Sequence, residues 1–104
     1  METIISSQRY VDDSIVAAKQ ASSDFEVSLS PAFDLDGETY RVVLDGHHAL
    51  AAAKLAGVEP TYAVLSAADH DAICLLDDGK VDDFLEAIYM DSDYYDIATG
   101  RVAW

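Results

Sequence analysis

The chain has 104 residues, which is enough for one domain and too few for a second independent core. Apolar residues make up 51% of it, so a compact core can form, but no apolar stretch is long enough for a transmembrane helix. The 20 acidic residues against 6 basic ones give a formal net charge of −14, which disfavours direct binding to nucleic acid or to anionic membranes.

The N-terminal part of the chain predicts a strand, a helix and a second strand. Residues 3–5 are apolar enough for a short first strand. A helix face is predicted from residues spaced three or four apart, namely Val11, Ile15, Ala18 and Ser22. Asp12 and Asp13 would lie in the first turn of that helix, where carboxylates are favourable. Apolar residues alternate over residues 25–29, which is typical of a strand.

The pair Asp36-Gly37 stands between two apolar runs, residues 32–35 and residues 38–44. An Asp-Gly pair suits a type I′ turn, which needs two residues with positive φ. The sequence therefore predicts a β-hairpin here.

A helix is predicted from His47 to Ala56, with Gly57 as its C-cap. Residues 62–65 form a compact apolar run after it, so strand, turn, helix and strand have the proportions of a βαβ unit.

The remaining residues predict two short helices and a closing hairpin. Ser66 with Asp69 resembles a capping box that opens a helix through Leu76. One face of a further amphipathic helix is marked by Val81, Phe84, Leu85 and Ile88. Residues 95–97 and 101–104 would form the hairpin. The predicted fold is thus one α+β domain over residues 1–104, with a small mixed sheet and packed helices.

Residues 42–60, VVLDGHHALAAAKLAGVEP, resemble the ParB/sulfiredoxin superfamily, in which a strand ends in a Gly-His-His-Arg-like turn that opens a helix. The resemblance covers about residues 25–66. It implies a ParB/sulfiredoxin-like fold and a nucleotide-phosphate seat at the turn. Carried onto this chain, that cofactor-binding site would comprise Asp45, Gly46, His47 and His48. Gly46 would let a ligand approach the backbone, and free helix N–H groups would hold a phosphate.

The sequence departs from this family at two positions that carry its chemistry. His47 stands where sulfiredoxins have their catalytic Cys, and Ala49 stands where the family has its phosphate-binding Arg. The resemblance therefore does not imply sulfiredoxin activity here. The nearest cations in the sequence are Arg41 and Lys54.

Two further readings of His47 and His48 stay open. Adjacent histidines at a helix start can simply hydrogen-bond the local turn. The second is a Mg²⁺ or transition-metal site with Asp45 and Glu38, which no ligand-spacing rule supports strongly. His70, between two aspartates, is expected to be a solvated surface residue.

The single cysteine, Cys74, excludes an intrachain disulfide framework and a Cys-rich zinc site. Because it lies between Ile73 and Leu75, we expect a buried structural thiol. Residues 1–20 lack the features of a signal peptide. The expected location is the cytoplasm, or the host cytoplasm if the protein is phage-encoded.

Acidic residues are concentrated between residues 69 and 96, where Lys80 is the one opposing cation. Tyrosines interleave with these acids and favour a protein interface over a purely solvated face. The predicted partner-binding residues are Asp69, Asp71, Asp77, Asp78, Asp82, Asp83, Glu86, Asp91, Asp93 and Tyr94.

Three hypotheses on function follow. The first is a non-enzymatic acidic protein that blocks the nucleic-acid-binding site of a basic partner, as a DNA mimic or an anti-CRISPR-like phage inhibitor; it requires no cofactor. The second is a ParB/sulfiredoxin-like nucleotide-binding protein or enzyme that uses the turn at residues 46–49. The third is a domain whose acidity serves solubility or adaptation to high salt.

Overall fold

The computed structural model describes residues 2–104 and contains six strands and four helices. The strands are β1 (Glu2–Ser6), β2 (Glu26–Leu29), β3 (Phe33–Leu35), β4 (Glu38–Asp45), β5 (Thr61–Val64) and β6 (Tyr95–Asp96). The helices are α1 (Asp13–Ala21), α2 (His47–Ala56), α3 (Ile73–Asp77) and α4 (Val81–Ala87). This arrangement is the mixed α+β class that the sequence predicts. None of the helices within residues 2–104 is long and apolar enough to cross a bilayer.

The strands form one mixed sheet in the order β5-β2-β4-β1-β6, with β3 also paired to β4. Strand β4 is central, because it pairs in parallel with β1 on one edge and antiparallel with β2 and β3 on the other. Strand β5 adds to β2 in parallel, and β6 adds to β1 antiparallel.

The hairpin between β3 and β4 turns at Asp36 and Gly37, as predicted. Both residues have positive φ, 52° and 84°, which is the requirement of a type I′ turn. Leu35 pairs with Glu38 across the turn, so the loop has two residues. The register of β4 against β3 is therefore set by local turn chemistry.

Both faces of the sheet are covered at its centre, along β4. On one face, α3 and α4 pack through Ile73, Phe84 and Leu85 onto Val42 of β4. On the other, α2 packs through Ala49 and Leu50 onto Val43, and α1 packs against α2. Adjacent residues of a strand point to opposite faces, so β4 supplies a buried valine to each core.

Helix α2 begins at His47 and ends at Ala56, as predicted. Gly57 follows with a φ of 70°, and its N–H donates to the carbonyl of Lys54 at 3.2 Å. The alanines at positions 49, 52 and 53 are buried, which lets the helix axis lie close to the sheet.

The predicted βαβ relation between β4 and β5 is wrong. Strand β2 lies between them, antiparallel to β4 and parallel to β5, so β4 and β5 run in opposite directions. The local pattern gives the order of elements correctly, but it holds no information on which strand is inserted between them.

The predicted apolar face of α1 is also wrong. Ile15 and Ala18 are exposed, whereas Val16 is the buried residue of the helix. Asp12 is the N-cap, and its carboxylate accepts from the N–H of Ser14 at 2.9 Å. Helix α1 contacts α2 and buries Val16, so the predicted stripe through Ile15 and Ala18 is not the face that packs.

Two predictions for the α3 region are corrected as well. Asp69 accepts from the N–H of Ser66 at 2.9 Å, but the helix begins only at Ile73, after a series of turns. Cys74 is exposed, because Ile73 is the residue of that turn that faces the core. The C-terminal hairpin is confirmed by a bridge between Tyr95 and Val102.

Candidate functional site

The turn before α2 is built by a close contact between Gly46 and strand β2. Gly46 is the N-cap of α2 and has a φ of 90°. A Cβ at this position would lie 2.4 Å from the carbonyl oxygen of Glu26 and 2.9 Å from the Cα of Val27. Glycine is therefore required at this position because the backbone of β2 passes close to it. From the sequence alone, a ligand is expected to make this close approach.

Both histidines of the turn are used by the fold. The Nε2 of His47 lies 3.0 Å from the hydroxyl of Ser6, a buried residue at the end of β1. The Nε2 of His48 accepts from the backbone N–H of Asp12, the N-cap of α1, at 3.1 Å. The imidazoles thus point to different elements and link α2 to β1 and to the start of α1. The reading that they hydrogen-bond the local turn is corrected, because both partners are distant in sequence.

Burial lowers the pKa of His47. The Asp45 carboxylate opposes this effect, His48 reinforces it, and Asp91 opposes it weakly. Because burial is the largest cause, the neutral imidazole is favoured.

The first-turn N–H groups of α2 have no side-chain cap. They face a cavity of about 290 Å³ lined by Gln8, Lys19, Asp45 and the turn itself. Lys19 is the one cation in this lining, and its ammonium already bonds to Asp24 at 2.8 Å. Asp45 accepts from the Gly46 N–H at 2.8 Å and adds negative charge. The expected phosphate-binding site before α2 therefore offers backbone donors but little free positive charge.

The other cations considered for this turn are engaged elsewhere. Arg41 bonds to Glu2 at 3.0 Å, and the ammonium of Lys54 donates to the carbonyl of Ile97 at 2.6 Å. Glu38 and Asp45 lie at opposite ends of β4, so the fold does not bring together the ligands considered for a metal site. Within residues 2–104, no group of three His, Cys, Asp or Glu side chains could hold a metal ion.

Nine of the predicted partner-binding residues are exposed carboxylates, and we call them the acidic surface. They lie on α3, α4 and the adjoining turns, and are Asp69, Asp71, Asp77, Asp78, Asp82, Asp83, Glu86, Asp91 and Asp93. The two ion pairs formed within residues 2–104, Lys19–Asp24 and Arg41–Glu2, lie outside it. His70, also in this region, is half-buried, and its Nδ1 accepts from the N–H of Ala72 at 3.3 Å.

Several of these carboxylates stand where a helix disfavours them. Asp77 and Asp78 are at the C-terminal end of α3, and Glu86 is in the last turn of α4. The partial negative charge of a helix C-terminus repels carboxylates. Helix stability therefore explains Asp82 and Asp83, in the first turn of α4, but does not explain these three.

Tyr94, the tenth predicted partner-binding residue, is in the core. It is 8% exposed, and its hydroxyl donates to the carbonyl of Leu85. Burial raises the pKa of Tyr94 to about 12. Its ring supports α4, and it also lines a surface groove described below, so its contact with a partner stays a prediction.

Two concave regions have no signal in the sequence. A cavity of about 430 Å³ at the C-terminal end of α2 is lined by Ile4, Leu50, Lys54 and Tyr62, among others. A groove of about 350 Å³ lies between α4 and the C-terminal segment. We call it the aromatic groove; it is lined by Asp82, Leu85, Glu86, Tyr89, Tyr94 and Trp104. Each assembles residues from separate segments, so neither appears as a local motif.

In comparisons with known proteins, no family model, no curated protein and no solved structure matches this chain. The ParB/sulfiredoxin resemblance accordingly stays a prediction from residues 42–60.

Replacement of Gly46 by Ala should destabilise the protein far more than replacement of Gly57 by Ala. Both glycines have positive φ, which costs a side chain about 1–2 kcal/mol, but a Cβ at Gly57 meets nothing within 4 Å. The clash with β2 should add about 1–3 kcal/mol at Gly46. Urea unfolding of the two variants measures the difference. Equal losses would show that the contact with Glu26 is not a constraint.

The buried, neutral His47 should make stability depend on pH. Because its folded pKa is lowered, its stabilising contribution is complete above the unfolded pKa, about 6.5, and is lost as the pH falls through the folded pKa. We expect the free energy of unfolding in urea to decrease from about pH 7.5 to about pH 5.5, and to decrease less in His47→Gln. Parallel profiles for the two proteins would contradict this assignment.

Proposed function

We propose that this protein is a non-enzymatic acidic binding protein that occupies the nucleic-acid-binding site of a basic protein partner. The observation that carries the proposal is the acidic surface: nine exposed carboxylates on α3, α4 and the adjoining turns, none in an ion pair within residues 2–104.

A firm scaffold supports this surface. Phe84, at 0% exposure, and Leu85 fix α4 to the sheet, while Ile73 fixes α3. The carboxylates between these anchors therefore face solvent from short, packed helices. A charged surface that is already ordered loses less entropy on binding than a flexible acidic tail does.

The charge density favours mimicry of a phosphate backbone. Asp82 and Glu86 are four residues apart, about 6 Å along the helix axis, and Asp83 lies beside them. B-DNA presents about one charge per 1.7 Å of axis, so an acidic helix flanked by acidic turns approaches that density. The placement of Asp77, Asp78 and Glu86 against the helix dipole is consistent with selection for a partner.

Small size and strong acidity favour a phage or mobile-element inhibitor of a host defence protein, and an anti-CRISPR-like protein is the sharpest version of the proposal. A basic cleft that normally holds DNA or RNA would bind the acidic surface instead. Association of this kind is steered by long-range attraction and is fast and salt-sensitive.

Reversal of three charges on α4 should abolish partner binding. The variant Asp82→Lys, Asp83→Lys, Glu86→Lys removes the centre of the acidic surface and leaves the buried residues of α4 unchanged. The partner is first captured from nuclease-treated host lysate with the wild-type protein as bait. We expect its affinity for the variant to be at least about a hundredfold weaker than for the wild-type protein. Labelled nucleic acid should then compete with the wild-type protein for that partner.

A matched control separates local contact from net charge. The variant Asp13→Lys, Glu26→Lys, Glu59→Lys changes three exposed acids outside the acidic surface, none of them in an ion pair. Each reversal changes the charge by two, so both variants go from −14 to −8. The control should retain most of the affinity. Simultaneous, independent binding of nucleic acid and this protein to the partner would contradict the proposal.

Nucleotide binding at the turn before α2 is the second candidate. One observation favours it: the uncapped N–H groups of α2 open onto a cavity with Lys19 beside it. The pairing of Lys19 with Asp24 and the nearby carboxylate of Asp45 oppose it.

Calorimetry with ATP and CTP in the presence of Mg²⁺ tests this candidate. We expect no binding in the micromolar range, because Ala49 provides no charge and Lys19 is already paired. Micromolar affinity that is lost in Lys19→Met would favour the nucleotide-binding function over the inhibitor.

A further inference from the structure

The aromatic groove has aromatic walls and an acidic rim. Tyr89 and Trp104, which are 52% and 55% exposed, line the same groove, so their exposed surfaces belong to one patch. Leu85 and Tyr94, both 8% exposed, form its floor. The groove is thus an apolar depression within an otherwise highly charged side of the molecule.

The wall formed by Trp104 is held in place by contacts with two core tyrosines. The ring of Trp104 meets Tyr40 edge to face at 5.5 Å between centroids and meets Tyr94 at 5.7 Å. The hydroxyl of Tyr94 is fixed to Leu85, and that of Tyr40 bonds to Glu38 at 2.9 Å. The exposed part of Trp104 is therefore presented in a defined orientation.

The rim carries two carboxylates without partners. Asp82 and Glu86 are four residues apart on α4, so both lie on the side of the helix that also leads to Tyr89. Neither carboxylate forms an ion pair or a side-chain hydrogen bond within residues 2–104, and no basic residue lines the groove. The groove thus combines aromatic surface with uncompensated negative charge.

These features together fit a guanidinium group. Arginine is planar, stacks on aromatic rings and can donate two parallel hydrogen bonds to a carboxylate. Ammonium groups are more strongly hydrated and make a poorer fit to an apolar floor. The protein already contains a contact of this kind elsewhere, since the guanidinium carbon of Arg9 lies 4.0 Å from the ring centroid of Tyr95.

We propose that the aromatic groove binds one arginine side chain of the basic partner, stacked on Tyr89 and Trp104 and paired with Asp82 and Glu86. This inference rests on the proposed function and assigns the contact that anchors it, because interfaces concentrate their binding energy in a few aromatic and arginine residues.

Trp104 is the single tryptophan of the chain, so its fluorescence reports on the groove directly. The probe is the peptide Ac-Gly-Arg-Gly-NH₂, and its counterpart with citrulline is a neutral control of nearly the same shape. We expect a saturable change in Trp104 emission with the arginine peptide, and an affinity about tenfold or more weaker with citrulline.

Two charge-matched variants distinguish binding in the groove from general attraction by the negative charge of the protein. Asp82→Asn with Glu86→Gln removes the rim, whereas Asp91→Asn with Asp93→Asn removes two charges of the acidic surface outside the groove. We expect the first to weaken binding of the arginine peptide about fivefold or more and the second by about twofold or less. Tyr89→Leu, which keeps apolar bulk but removes the ring, should also weaken it.

Equal losses in the two charge variants, or equal binding of the arginine and citrulline peptides, would overturn the assignment of the groove. Either result leaves the proposed function standing if the partner still requires the acidic surface. Conversely, selective binding of the arginine peptide with no competition between this protein and nucleic acid would remove the proposed function and retain the groove.

Discussion

The burial of strand β4 on both faces is the constraint from which the rest of the structure follows. Val42 and Val43 are adjacent and both buried, so the sheet must be covered on each side. Helix α2, supported by α1, covers one side. The segment from α3 to α4 must therefore cover the other. A highly acidic segment can do so only with its few apolar residues inward and its carboxylates outward. Completing the second core thus directs the carboxylates of this segment to the solvent, where they form the acidic surface.

The same constraint explains the histidines at the start of α2. Because α2 follows β4 after a single residue, Gly46, its first turn is pressed against β2 and against the end of β1. An imidazole there can reach Ser6, and the next one can reach the N-cap of α1. These contacts account for both side chains without a ligand. The resemblance of residues 42–60 to a nucleotide-binding turn is therefore compatible with a turn that serves the fold.

Elements whose signals are local could be predicted from the sequence. The Asp36-Gly37 turn, the start of α2 at His47 and its end at Gly57 each depend on backbone conformations that only certain residues adopt readily. The exposed positions of the acidic surface could also be predicted, because carboxylates without partners stay in water. For the candidate site this means that its charge, but not its shape, was available from sequence.

Features that depend on distant contacts could not be predicted. Val16 and Ile73 are buried while their neighbours Ile15 and Cys74 are exposed, and only the position of the packed element decides between them. The burial of Tyr94 depends on Leu85, and the aromatic groove depends on Trp104 reaching Tyr40. The insertion of β2 between β4 and β5 likewise has no local signal, since strand pairing is a tertiary choice.

Strand β5 gives the large negative charge a second physical role. All four of its residues are exposed, it pairs with β2 alone among the described strands, and it contains no charged residue. Such an edge can template pairing with another polypeptide, and Pro60 shields only its beginning. The mutual repulsion of two surfaces with a net charge of −14 opposes such pairing between copies. This repulsion depends on the ionisation of the carboxylates, and it weakens as the pH approaches about 4.1, the isoelectric point expected from the composition.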